Sequence, residues 1–183
     1  MNSFSSQAVL DFWYADEMRK HWFASTPQLD NDIRHRFEAM WEAASEGKLD
    51  GWLEHPESAL ALIIVLDQFP LNMFRGEAKS FTTEAQALDA AKYAIGHGYD
   101  YDTPRERVAF MYLPLMHSEN LVDQEQCVRL FEASGLVEHA RFARHHHDIV
   151  KRFGRFPHRN AILGRDSTPE EIAYLNSKEA FKG

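Results

Sequence analysis

An all-α fold, either a helical bundle or stacked antiparallel helical hairpins, is predicted by three observations. Nearly every segment between breakers spaces its apolar residues three and four apart, the period of an amphipathic helix. No run alternates apolar and polar as a half-buried strand would. Helix start and stop signals recur along the chain and leave short connections, which makes successive helices antiparallel neighbours. A chain of 183 residues, 44% hydrophobic and 26% charged, is enough for a single domain whose core needs neither disulfide nor structural metal.

About eight helices follow in order. Val9, Leu10, Phe12 and Trp13 form a short apolar stripe after Ser5-Ser6. A second helix, starting near Asp30 or Asp32, aligns Ile33, Phe37, Met40, Trp41 and Ala44 and stops at Gly47. Pro56 suits the first turn of a third, whose Ala59–Leu66 stretch is apolar on every side and is therefore central. Asp67-Gln68-Phe69-Pro70 is expected to end it, because the residue before proline leaves the helical region. A fourth begins at Thr82 or Thr83 and closes at Gly96. Thr103-Pro104-Arg105-Glu106 has the capping-box pattern and opens a fifth, which Pro114 is expected to kink or end. The sixth covers about 123–133, before Gly135. The seventh runs from about Val137 to Phe153 and is closed by Gly154; the last starts at Thr168-Pro169-Glu170-Glu171 and includes Tyr174 and Leu175. No strict repeat at a fixed period is visible, so residue patterns alone do not distinguish a solenoid from a bundle.

Composition narrows the function. Cys127 is the only cysteine, which excludes an intrachain disulfide and a cysteine metal cluster. The longest apolar run is eight residues, Ala59 to Leu66, far short of the ~20 that span a bilayer. The opening Met1-Asn2-Ser3-Phe4-Ser5-Ser6-Gln7 lacks a basic start and an apolar segment, so a cytoplasmic protein without membrane attachment is expected. Net charge is −8, yet His139–Arg165 holds seven Lys/Arg against one acid, Asp148, together with five histidines. The acidic remainder would repel a long polyanion, so nucleic acid is not the expected partner. The basic stretch either folds onto that remainder or binds a small anion.

Four polar groups sit where packing would not choose them. Asp67 extends the apolar stripe of Leu60, Ile63 and Ile64 at a helix C-terminus, where the macrodipole disfavours an anion. It reads as a general base or ligand contact, or else as half of a buried ion pair. His117 and Glu119 follow Pro114 and have the residue types for paired acid–base work. In His145-His146-His147, the spacing of Phe142, His146, Ile149 and Phe153 puts His146 on the buried face, bonded to an acid such as Asp67. Consecutive histidines project at ~100° steps and cannot jointly chelate one ion, so no metal is expected. Finally, Arg152-Phe153-Gly154-Arg155-Phe156-Pro157-His158-Arg159-Asn160 and Leu163-Gly164-Arg165 alternate arginine with rings in a turn-rich segment. Guanidinium forks match carboxylate and phosphate oxygens bidentately, and Lys151 is the only lysine among the basic residues from 151 to 165.

Taken together, Asp67-Gln68-Phe69-Pro70 with Asn72 and Arg75, the Tyr112–Glu119 segment and the Arg152–Arg165 segment resemble the domain-of-unknown-function 924 family. Phe12-Trp13, Trp22-Phe23 and Ser167-Thr168-Pro169-Glu170-Glu171 with Tyr174-Leu175 extend the resemblance over residues 7–176. The resemblance implies tetratricopeptide-like stacked hairpins and carries over no activity, substrate or cofactor. Leu71 stands where the family usually has arginine, which removes a contact if that arginine served an anion site.

The function expected from the residues is binding, with or without turnover, of a small phosphate- or carboxylate-bearing molecule. Its pocket would use Asp67, His117 and His146 for proton handling, and Arg75, Glu119, Arg155, His158, Arg159 and Asn160 for the ligand. No serine or cysteine nucleophile motif, phosphate loop or dinucleotide fingerprint is present, and no cofactor is implied. The alternative is a helical interaction module that clamps an acidic peptide, or in which the same residues form structural ion pairs.

Overall fold

The computed structural model describes residues 4–181, which are helical and contain no strand. Two compact units make up the chain, Met1–Pro114 and Leu115–Gly183.

The first unit begins with α1 (Ser6–Trp13), whose start is fixed by the Ser5 side chain accepting from the Ala8 N–H. A single turn, α2 (Asp16–Arg19), follows. Helix α3 (Pro27–Ser45) begins earlier than the aspartates suggest, because Thr26 caps the Leu29 N–H and Pro27 occupies the first turn. Asp30 caps nothing; its carboxylate instead accepts from Arg75 and from the Ser25 hydroxyl.

Helix α4 (Pro56–Met73) does not end at Pro70 but runs through it. Proline deprives the carbonyl four residues back, Leu66 O, of its helical donor. Here the Thr83 hydroxyl replaces that donor at 2.6 Å and accepts the Trp41 indole N–H at 3.1 Å. One buried hydroxyl thus repairs the helix and ties α3 to the residue that precedes α5 (Glu84–Gly96). Helix α4 lies between α3 and α5, with α1 also against it, and from Ala59 to Pro70 every residue is buried. At one end, rings of Phe12, Trp13, Trp22, Phe37, Phe69 and Phe110 interlock, with Trp22 and Phe110 centroids 4.7 Å apart and Phe37 and Phe69 4.6 Å apart. Gly98, at φ 75°, turns the chain into α6 (Tyr99–Asp102). Helix α7 (Arg105–His117) continues past Pro114 instead of stopping there.

In the second unit, Asn120 caps α8 (Leu121–Ala133) by accepting from the Val122 N–H. Helix α9 (Val137–Phe153) packs on α8 as an antiparallel hairpin. Gly154 closes α9 in the left-handed region, φ 71°, with its N–H on Val150 O at 2.7 Å. The buried stripe of α9 is Ala140, Ala143, His146, Ile149 and Val150. Phe142 is not on it: that side chain is 47% exposed, so the stripe passes one residue away from the phenylalanine. Helix α10 (Pro169–Leu175) has the capping box expected of Thr168 and Glu171, and Tyr174 joins Ile149, Val150 and Phe156 in a small core. Among the described residues no helix is long and apolar enough to cross a membrane.

Thr83→Val keeps the shape of the side chain but leaves the Leu66 carbonyl and Trp41 indole buried without this partner. Each orphaned group costs about 1–3 kcal/mol, so a loss of roughly 2–4 kcal/mol is expected in urea unfolding followed by Trp fluorescence. Thr83→Ser should recover most of it. A valine variant as stable as the unaltered chain would refute the assignment.

Candidate functional site

The candidate site residues of the second unit are organised by two carboxylates. Glu171, only 2% exposed, accepts from Arg155 Nε at 2.7 Å and from Arg155 Nη2 at 2.8 Å. It also accepts from the Thr168 N–H at 2.8 Å and from Asn160 Nδ2 at 3.2 Å. Hydrogen bonds from Arg155 pull its pKa down to about 2, against the opposing effect of burial. Glu119 receives both terminal nitrogens of Arg165 at 2.7 and 2.9 Å, and the Phe156 N–H at 2.7 Å. Burial pushes its carboxyl up, but the bonds from Arg165 and Phe156 prevail and leave it below the usual carboxylate range.

The arginines are thereby committed. Arg155 also donates to Asp166 O, and Arg165 to Phe156 O and to the Asn160 amide oxygen. Arg152 pairs with Glu170. Arg159 is buried, its guanidinium 4.7 Å over the Phe156 ring. The partners of Arg155 and Glu119 in this network, Glu171 and Arg165, are not among the pocket residues expected from the sequence. Glu171 reads there only as a capping residue, and nothing in a linear pattern links it to an arginine sixteen positions earlier.

The imidazoles form a second group. His146 is buried on α9, with Nδ1 2.8 Å from Phe142 O, a bond to its own helix's backbone. His158, in the turn after Phe156, has its Nδ1 buried with no hydrogen-bond partner. Burial lowers both imidazoles to about 4, and the nearby charge of Arg159 adds to the effect on His158. His117, the last residue of α7, is close enough that its charge bears on both. His147 turns toward Asp148, 3.0 Å away. Phe181, which the sequence did not mark, lies with its ring centroid 4.5 Å from His146, 5.0 Å from His158 and 6.3 Å from His145. Among the described residues no three His, Cys, Asp or Glu side chains are grouped to hold a metal ion.

The remaining two candidates lie in the first unit. Asp67 is buried near the end of α4 and accepts from Gln68 Nε2 at 2.6 Å. Arg75 is bonded to Asp30 at 2.7 and 3.2 Å and to Asn72 Oδ1 at 3.3 Å, with more than half of its side chain in solvent.

These environments fix the acid limb of stability. His146 and His158 hold protons less well in the folded chain than in the unfolded one, so folding weakens as pH falls from about 6.5 to about 4. Glu171 has a depressed folded pKa, so its contribution is full above about 4.5 and is lost as pH falls toward about 2. Calorimetry across pH 8 to 2 is expected to show both declines, the upper one shallower in His146→Gln and the lower one shallower in Glu171→Gln. Unchanged slopes in both variants would contradict the burial and pairing described. Separately, Glu119→Gln leaves Arg165 without its carboxylate and should destabilise by about 1–3 kcal/mol, measured by urea unfolding.

The comparisons with known proteins agree with the fold. A family model described as bacterial protein of unknown function (DUF924) matches residues 9–179. A solved structure of a protein of unknown function from Agrobacterium tumefaciens is similar over 93% of this chain and 96% of that one, with 42% sequence identity and a TM-score of 0.89. No curated protein matches the chain. With nearly its whole length covered by that model, the chain belongs to the bacterial DUF924 family.

Proposed function

We propose that the second unit binds a small phosphate- or carboxylate-bearing molecule at His158 and Arg159, with His117 and His146 beside them. The observation that carries this reading is the buried Nδ1 of His158, which no group among the described residues satisfies. A buried polar atom left without a partner is unfavourable by about 1–3 kcal/mol and is uncommon in native folds. An anionic oxygen would accept from it if the ring carries its proton there, and the positive charge of Arg159 would favour that oxygen. With its pKa near 4, His158 is neutral at physiological pH, so it would serve as a hydrogen-bond donor rather than a counter-charge.

Arg155, Arg165, Glu119 and Asn160 are read differently. Their bonds to one another and to Glu171 occupy the groups that a ligand or an acidic peptide would need. This favours a structural role for these four, supporting the loop that presents His158 and Arg159. Asp67 and Arg75 remain candidates by residue type only, as base and anion contact.

Titration with inorganic phosphate, followed through the His158 imidazole resonances, tests the reading. His158→Gln is expected to weaken binding about tenfold, the value of one lost charge-assisted hydrogen bond. Arg155→Lys should lower the melting temperature and leave phosphate affinity within about twofold. Phosphate that leaves the His158 resonances unmoved would exclude the site.

A further inference from the structure

Phe181 packs against a small apolar core of Ile149, Val150, Phe156 and Tyr174, in a recess where three imidazoles also converge on its ring. Edge-to-face contacts set the Phe181 ring against His146, His158 and His145 at interplanar angles of 62°, 81° and 71°. Phe156 lies 5.6 Å from each of His146 and His158. A phenyl ring packs well in such a slot, but it can neither donate to nor accept from an imidazole nitrogen. The buried Nδ1 of His158 has no hydrogen-bond partner among the described residues, and the Phe181 ring centroid lies 5.0 Å from its imidazole.

The segment that delivers the ring is lightly held. After α10 the backbone is tied by Ser177 N–H to Tyr174 O at 2.9 Å, by Ala180 N–H to Ser177 O at 3.4 Å, and by Phe181 N–H to the Tyr174 hydroxyl at 2.9 Å. Ser177, Lys178 and Glu179 are exposed. Apart from Ala180 and Phe181, which pack on the small core, the segment is exposed, and few backbone bonds mark a stretch that opens locally at low free energy. The slot, by contrast, is built on α9 and on the turn braced by Glu119 and Glu171.

From this unsatisfied imidazole beside a lightly tied ring we infer that the recess holding Phe181 is an aromatic-ring subsite, and that residues 177–181 are a plug which a ring-bearing anionic ligand displaces. The inference deepens the ligand reading above and rests on it: the anionic group would lie at His158 and Arg159, and the ring would take the place of Phe181. A flat ring with a phosphate or carboxylate substituent satisfies both halves, giving His158 an acceptor and keeping ring contacts with the three imidazoles. A plug seated nine-tenths of the time would lower the apparent affinity for such a ligand about tenfold.

The test compares the full chain with Phe181→Ala, using three probes read at the His146 and His158 imidazole resonances: benzyl alcohol, inorganic phosphate and phenyl phosphate. The expected result is binding of both ring probes about tenfold tighter to the alanine variant, with inorganic phosphate unchanged between the two proteins. Ring probes that bind both proteins equally, or neither, overturn the subsite. If benzyl alcohol prefers the variant while inorganic phosphate binds neither protein, the ring subsite stands and the anion reading falls; inorganic phosphate bound without any ring preference gives the reverse. Should the alanine variant fold poorly, the unaltered chain decides. Saturating phenyl phosphate is then expected to speed hydrogen exchange at the Phe181 amide, and an amide whose protection is unchanged or increased overturns the plug.

Discussion

A guanidinium taken out of water needs a carboxylate, and the course of the chain from Gly154 to Asp166 is set by meeting that need twice. Glu171 meets Arg155 from the first turn of α10, and Glu119 meets Arg165 from just beyond the end of α7. Neither acid stops at its ion pair. Glu171 also receives the backbone of Thr168 and the amide of Asn160, and Glu119 receives the backbone of Phe156. Each carboxylate therefore fixes main chain as well as charge, and Asn160 joins the two groups by donating to Glu171 while accepting from Arg165. Mutual neutralisation explains how a segment so rich in cations is held in an ordered turn.

Much of the fold could be read from the chain because its signals are local. Ser5 and Thr168 cap helices through their own side chains, Gly154 supplies the left-handed residue that ends α9, and apolar spacing marks the buried faces. The proline rule gave the wrong end for α4 because the group that rescues Pro70 lies thirteen residues further on, at Thr83. The failure at Phe142 is of another kind. Helical spacing fits more than one stripe along a run of alternating histidines, alanines and rings, and only the packing of α8 chooses between them.

The site was legible by residue type and not by pairing. Arginine, histidine and aromatic rings do share the stretch after Phe153, and the structure brings His146, His158 and Arg159 close to Phe156 in the second unit. Which acid would meet which base depended on tertiary distances: Glu171 holds Arg155 and Glu119 holds Arg165. A capping glutamate and a late phenylalanine carry no chemical flag in a linear sequence, so Glu171 and Phe181 became visible only with coordinates.

The distribution of chromophores has a practical meaning. All four tryptophans, at 13, 22, 41 and 52, belong to the first unit, and Trp13 and Trp22 stack with centroids 6.3 Å apart. Indole emission is consequently a spectroscopic window on that half alone. Tyr174 is the only tyrosine beyond residue 114, and its hydroxyl is the one that anchors Phe181. A tryptophan introduced by design beyond residue 114 is what an emission measurement needs to see the other half of the molecule.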